Sequence, residues 1–504
     1  MKQFIQTFRS NYTPLQQLLW IGFFLRLFSV FFSKGFGWHD DHFLIIEASQ
    51  SWVDGYDYND WLPSAAAPDR TPSGHSLFYT GIHYFLFKFL TSLGVVNPQT
   101  KMYVVRFLHA CWSLLIIKYG YKITEQYASQ KTAWYVGIFL TFFWFMPFIS
   151  VRNLVEFVCV PLILMSIYEL GKENLGWRHF FLGGLWLGIA FSIRFQTIFL
   201  GAGVVLALLV RRTSFKHLLL FGITYLAGIV LIQGGIDMMI WKRPFAEFQT
   251  YVQYNLDNSD QYGTDNWHMY LDLIFGLLIP PLSIVLFAGY FYSWKKTALI
   301  FWPVFFYLLF HFYFPNKQER FVMTVIPLII ISGTVGMFML FEKYQSKINR
   351  PLLRFCKIFV IALNLILLPV LTVSYSKRHR VEAMYYLYKK HDKGSFLIED
   401  SNHNNFMMPP LFYYGKWVGM RGVTKETPLK ELVNFYKSQP AAEQPRYVIF
   451  WEAENLEARL DSVRYYFPGV RYETTIQPSF IDKTLFWLNP LNSNQTTFIY
   501  KLQQ

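Results

Sequence analysis

Apolar runs close to the roughly 20 residues that a bilayer-spanning helix needs recur along this chain, and polar and charged residues gather between them. The runs fall roughly at 16–34, 77–94, 102–121, 133–150, 155–170, 179–195, 197–210, 217–240, 269–292, 298–314, 321–341 and 355–375. The pattern predicts an all-α polytopic membrane bundle. Basic residues mark the cytoplasmic loops: Lys2 and Arg9, Arg211 and Arg212 with Lys216, Lys295 and Lys296, and Lys343 through Lys357. An inner N-terminus and an outer C-terminus require an odd number of crossings, so the expectation is 11–13 transmembrane helices. The first run begins near Leu18, carries Arg26 and lacks a small-residue cleavage site, which reads as an uncleaved first span.

Three segments interrupt this pattern. Residues 36–76 form a long first outer loop with six Asp and one Glu among Trp, Tyr and His. Residues 241–268 form a second outer loop rich in aromatics and Asn. After Tyr375 the chain turns polar, with a strand-like Tyr447 to Phe450 followed by a helix-like Glu452 to Val463. The expected organisation is a transmembrane domain over 1–375 and a small soluble α/β extracytoplasmic domain over 376–504.

Composition agrees: 53% hydrophobic, 20% aromatic and 15% charged residues exclude an ordinary soluble enzyme. The net charge of +14 does not indicate nucleic acid. From residue 376 onward 17 Lys and Arg face 13 Asp and Glu, which is +4, so +10 lies in the membrane part, punctuating apolar segments as topology signals. Cys111, Cys159 and Cys356 sit within or beside apolar segments and form neither a disulfide framework nor a zinc pattern.

Four stretches could carry chemistry. In the first, Trp38 to Glu47, a helix starting at Asp40 or Asp41 would place Asp40, Glu47 and Asp54 on one face at seven-residue spacing. A carboxylate half shielded by aromatics can take a proton from a substrate hydroxyl. The alternative is a helix N-cap and a first-turn charge at Asp40 and Asp41. His39 and His42 could join the acids as metal ligands, although adjacent side chains diverge on a helix.

In the second stretch, Phe314 to Phe321, Lys317 and Arg320 are three apart and suit a phosphate at headgroup level; snorkelling charges at a helix end are the alternative. The third places Arg152, Asn153 and Glu156, and separately Arg194, inside apolar runs, where ionisable groups are costly unless they pair or face a cavity. An Arg152–Glu156 pair is one structural reading. The fourth, Trp241 to Tyr270, interleaves aromatics with Asn, Gln and Asp, including Tyr262, Trp267 and His268; this suits a sugar site or an interfacial belt.

These stretches, in this order, resemble the lipid-phosphomannose-dependent mannosyltransferases, the family that extends the glycosylphosphatidylinositol core and assembles dolichol-linked oligosaccharides. His39, Asp40, Asp41, His42, Phe43 and Glu47 resemble the family motif after the first span. Asn153 and Glu156 resemble its Asn-Glu pair, and Arg194 to Thr197 its Arg-Pro-Thr-like step. Trp241 to Tyr270 is similar to its stretch ending in Tyr-Gly and Trp-His-Trp-Tyr, and Asn316 to Phe321 to its His-Lys-Glu-Glu-Arg-Phe signature. Asp41 stands for the family's Glu, Asn316 for its His and Gln318 for one Glu.

The resemblance implies a membrane glycosyltransferase C-type fold and an inverting transferase. It would move a hexose, mannose by family, from a polyprenyl-phosphate donor to a glycan or glycolipid acceptor outside the cytoplasm. By the same token Asp40 would be the catalytic base. Asp41 and Glu47 would bind sugar hydroxyls or orient Asp40; Asn153, Tyr262, Trp267 and His268 would line the substrate site; Lys317 and Arg320, with Arg194, would hold the lipid phosphate; Glu156 and Glu319 would pair with basic neighbours. No metal or other cofactor is needed, because a phosphate leaving group is already anionic. Membrane lipids are partners. Compact loops and the departures from the eukaryotic motifs point to a bacterial cytoplasmic membrane; an endoplasmic reticulum membrane is the eukaryotic alternative. The rival activities are transfer of another lipid-linked sugar such as aminoarabinose to lipid A or protein, and lipid-linked glycan flipping or transport, which often shows inverted repeats not found in this sequence.

Overall fold

The computed structural model describes residues 11–65, 67–259, 264–391, 394–440, 443–490 and 494–502. Tyr262, Lys2 and Arg9 lie outside the described residues. The chain divides into two compact units. The first comprises Met1–Val30, Asp60–Ile82 and Val105–Thr372, and the second Phe31–Asn59, His83–Val104 and Val373–Gln504.

The protein is a multi-pass membrane protein built mostly of helices. Among the described residues, five helices are long and apolar enough to cross a bilayer: Pro14–Phe32, Pro98–Tyr127, Phe215–Trp241, Ile326–Lys343 and Arg350–Thr372. A sixth span results if the pair Met269–Leu277 and Leu282–Tyr292, bent by 115°, is one crossing. The remaining apolar runs are carried by shorter or broken helices, which length alone does not identify as crossings. The run at 133–150 becomes Gln130–Phe142 and then Met146–Ile149, and the run at 155–170 splits into Val155–Val158 and Val160–Leu170.

Packing in the membrane unit uses small residues and internal polar contacts, because lipid supplies no hydrophobic drive between helices. At Gly336 a Cβ would collide with the Gly289 carbonyl, so the helices Leu282–Tyr292 and Ile326–Lys343 meet backbone to backbone. Beside this contact the hydroxyls of Ser293, Thr297 and Ser332 form a buried triangle of 2.7–3.1 Å. The intramembrane Arg26 is fully buried, donating from Nε to Ser113 at 2.9 Å and from Nη2 to the Leu140 carbonyl at 3.2 Å.

The second unit contains a five-stranded sheet of order β2-β1-β3-β5-β4, with β1 Ser395–Glu399, β2 Gly422–Val423, β3 Pro445–Phe450, β4 Arg471–Ile476 and β5 Thr497–Lys501. Strand β1 is parallel to β2 and β3, while β5 runs antiparallel to β3 and β4. All five residues of β1 are buried, as expected of a central parallel strand covered on both faces. Helices Leu429–Lys437 and Leu456–Tyr466 contribute Leu432, Val433, Leu460 and Val463 to the core around Val448 and Phe450. The expected strand at 447–450 is thus β3, and the expected helix at 452–463 begins at Leu456.

Candidate active site

In the second unit, the segment Asp41–Glu47 is wound as a π-helix and continues as the α-helix Ala48–Val53. A π-turn brings residues five apart over one another. His42 Nε2 accordingly lies 3.2 Å from Glu47 Oε1. The face predicted from α-helical spacing does not form: Asp40 is half-buried, Glu47 fully buried and Asp54 exposed. Asp54 instead accepts hydrogen bonds from Gln50 at 2.9 Å and from the Trp417 indole at 2.8 Å.

Glu47 also accepts the Phe412 backbone N–H at 3.2 Å, and the His42 ring stacks between Phe36 at 4.4 Å and Tyr413 at 5.4 Å. Burial holds the Glu47 carboxyl well above the usual carboxylate range, against the opposing pull of the Phe412 amide and the Arg380 guanidinium. Burial also holds the His42 imidazole well below its ordinary value, and Arg380 adds to that. Both shifts favour a neutral acid–imidazole pair over an ion pair. Arg380 lies over the rings of Phe36 and Phe43 at 5.4 and 5.8 Å and donates to the Met408 carbonyl.

Asp40 stands at the N-cap position of this helix with helical backbone angles and makes no capping hydrogen bond, while Asp41 is the acid of its first turn, so of the capping alternative only the first-turn charge is present. Asp41 is buried. His39 is exposed and stacks on Phe43 at 4.2 Å, whereas His42 faces Phe36, Tyr413 and Glu47. The two imidazoles therefore have different surroundings.

In the membrane unit, three charges lie where helices are interrupted. Glu156 is on the four-residue helix Val155–Val158, Arg194 is an extended residue ending helix Trp177–Ile193, and Arg320 is in the 3-10 turn Glu319–Thr324. Arg194 Nη2 is 3.0 Å and Arg320 Nε 3.5 Å from Glu156 Oε1. Gln196 Oε1 accepts from Arg194 Nε and Nη2 at 3.1 and 2.8 Å, and Gln318 Oε1 accepts from Arg320 Nε at 2.8 Å. The Phe321 ring lies 4.9 Å from the Arg194 guanidinium. The freed backbone is satisfied locally: Thr324 donates to the Glu156 carbonyl at 2.9 Å and Tyr307 to the Phe321 carbonyl at 3.0 Å.

Sequence spacing did not reveal that Arg194 and Arg320 meet at Glu156. Arg152 packs over Phe148 at 4.4 Å, and Asn153 is buried on the irregular segment beside it. Lys317 and Arg320 do not act as an i,i+3 helical pair, because the 3-10 turn begins only at Glu319. Lys317 folds back on the end of helix Ala298–Tyr313 and donates to the carbonyls of His311 at 2.7 Å, Phe312 at 3.1 Å and Phe314. Glu319, Trp267 and His268 are exposed, with His268 Nδ1 2.7 Å from Asp272. Buried Tyr270 joins the two stretches, its hydroxyl accepting the Gln318 N–H at 3.1 Å.

A further carboxylate network escaped the sequence reading. Fully buried Glu247 accepts from Ser73 at 3.1 Å and from the backbone N–H groups of Gly74 and His75 at 2.6 and 3.1 Å. Its own N–H reaches Asp237 at 3.2 Å, and Asp237 accepts from Gln233 at 3.0 Å. Burial pushes the Glu247 carboxyl up to about 7 despite those donors. The available signal was Asp237, an acid inside an apolar run.

For a metal, the described residues offer Asp400, His403 and Glu452, whose ligand atoms lie within 4.8 Å of one another. They are already hydrogen-bonded: His403 Nδ1 to Asp400 at 2.7 Å, and Asn402 and Gln495 to Glu452 at 2.5 and 3.1 Å. Asp400 and Glu452 are buried and His403 is exposed, so this polar network at the ends of β1 and β3 opens to the surface on the histidine side.

The sequence profile of the Alg9-like mannosyltransferase family matches residues 17–406. Two curated proteins are similar. Mouse alpha-1,2-mannosyltransferase ALG9 is 26% identical over 168 residues, covering 30% of this chain and 28% of its own. The Dol-P-Man:Man(7)GlcNAc(2)-PP-Dol alpha-1,6-mannosyltransferase of Drosophila melanogaster is 27% identical over 259 residues, covering 47% and 35%. The chain spans about a third of the length of these relatives. Among solved structures, ArnT from Cupriavidus metallidurans superposes with a TM-score of 0.62 at 10% identity, over 96% of this chain and 97% of that one. The undecaprenyl-phosphate-bound form of ArnT gives 0.59 at 11% identity, with the same coverage. The likeness shows a shared membrane glycosyltransferase C-type fold.

Proposed function

The chain belongs to the Alg9-like mannosyltransferase family, and on that premise we propose that it is an inverting glycosyltransferase moving a mannose from a polyprenyl phosphate to a glycan or glycolipid acceptor on the extracytoplasmic side. The observation that carries this reading is the convergence of Arg194 and Arg320 on Glu156 at three helix interruptions of the membrane unit. Arginine forks match phosphate oxygens, and a carboxylate between two guanidiniums holds their geometry before a ligand arrives. The donor class is supported by the name of the fly relative, which specifies a dolichol-phosphate mannose.

In the proposed reaction, the acceptor oxygen attacks the anomeric carbon and forms the new glycosidic bond. The bond from that carbon to the phosphate oxygen breaks, and the polyprenyl phosphate departs with the electron pair. The acceptor proton passes to Asp40. A single displacement inverts the anomeric centre, as in inverting hydrolases. Arg194 and Arg320 stabilise the growing phosphate charge. Lys317, its ammonium committed to three carbonyls, fixes the backbone before Gln318. Glu47, tied to His42 and Phe412, holds the helix that follows Asp40. Asp41 and Asn153, with Tyr262, Trp267 and His268, are proposed to meet the sugar or acceptor.

The test is donor binding to the purified protein. The Arg194→Ala/Arg320→Ala variant should lose affinity for polyprenyl-phosphate mannose at least tenfold. Unchanged affinity would refute the phosphate assignment.

A further inference from the structure

On the end of the membrane unit that carries Lys296 and Asn349 lies a cavity of about 890 Å³, lined by none of the residues assigned to the reaction. It is a wedge between the first half of helix Arg350–Thr372 and the helices Gln130–Phe142, Leu282–Tyr292 and Ile326–Lys343. A polar clamp holds the second half of that helix to the bundle. Asn364 accepts the Trp144 N–H at 2.9 Å and donates to the Phe142 carbonyl at 2.8 Å. The first half has no such clamp among its described hydrogen bonds, and only 11% of the helix's most apolar window is buried.

The wedge walls are apolar, with Phe139, Val285, Phe338 and Leu353 among them. Lys131, Lys296 and Lys357 also line it, from three different segments, against one acid, Glu342. All three ammonium-bearing residues are exposed. The chain's basic loops put this end on the cytoplasmic side. Anionic headgroups there attract lysines, while an apolar cleft in hydrocarbon accepts an acyl chain.

We propose that this wedge binds one acidic glycerophospholipid of the bilayer, with its headgroup on Lys131, Lys296 and Lys357 and an acyl chain along Phe139, Val285 and Phe338. The charge asymmetry selects an anionic over a zwitterionic lipid. The predominantly apolar lining selects a lipid over a free phosphate. The site stands apart from the proposed transfer reaction and does not depend on it.

The experiment is lipid titration of the delipidated full-length protein, followed by native mass spectrometry. Phosphatidylglycerol, phosphatidylcholine of the same chains and a polyprenyl phosphate are compared. Phosphatidylglycerol should bind at least tenfold more tightly than phosphatidylcholine. Lys131→Gln/Lys296→Gln/Lys357→Gln should abolish that preference, at roughly fivefold per lysine. Val285→Trp, which fills the wedge and keeps the lysines, should also lose the tight phosphatidylglycerol adduct. Equal binding of the two phospholipids, preference for the polyprenyl phosphate, or retention of the adduct in both variants would each overturn the proposal.

Discussion

His42 Nε2 and Glu47 Oε1 lie 3.2 Å apart because the helix between them is π-wound. Both side chains are buried, and both are driven towards their neutral forms. The pair therefore needs a hydrogen-bonding oxygen at position 47 rather than a charge. Glu47→Gln should keep thermal stability within about 1 kcal/mol of wild type. Glu47→Ala, which leaves the Phe412 N–H and His42 without that acceptor, should lose about 2–3 kcal/mol. Thermal unfolding in detergent compares them, and equal losses in the two variants would contradict the neutral pair.

Glu156 is fully buried between Arg194 and Arg320. Removing its charge leaves two guanidiniums facing each other, so Glu156→Gln should destabilise by about 3 kcal/mol. Arg194→Lys keeps the charge but not the fork that reaches both Glu156 and Gln196. It should retain the fold while transfer falls about tenfold or more. Unfolding midpoints together with initial rates separate the two effects.

Glu247 gives a pH dependence with a definite sign. Its folded value of about 7 lies above the ordinary 4.5. Its contribution is full below about 4.5, where folded and unfolded forms are both protonated. It declines as pH rises through that window and is smallest above about 7. The backbone at 73–75, held by this carboxyl, should exchange amide hydrogens more slowly at pH 5 than at pH 8, after correction for intrinsic exchange. Glu247→Gln should remove the difference. Persistence of the full pH effect in that variant would show that another group titrates.

Much of the helical membrane architecture was legible because long apolar runs report it directly. The helix breaks were legible only in part: Arg152 and Asn153 separate the apolar runs 133–150 and 155–170, but the interruptions inside those runs, at 143–145 and at Cys159, are fixed by contacts from Asn364 and Trp112, and the Glu156 carbonyl by Thr324, all distant in sequence. Those breaks place Glu156 against Arg194 and Arg320. In the Asp40 segment the 3.6-residue period gave the wrong face, since π-winding relates position 42 to 47. Lys317 was readable in principle as a cation just past a helix end, where it meets the last carbonyls. The partners of Glu47 and His42 come from residues 412 and 413, a pairing that no local pattern announces.

The most direct test of the central claim uses purified protein, a polyprenyl-phosphate mannose labelled in the sugar, and an acceptor lipid extract. Wild type should transfer label into the glycan or glycolipid fraction and release polyprenyl phosphate in equal amount. Asp40→Asn should bind the donor normally and transfer it about 10²-fold or more slowly, with unchanged unfolding. Label that crosses the membrane without changing chemical form, or full transfer by Asp40→Asn, would contradict the account.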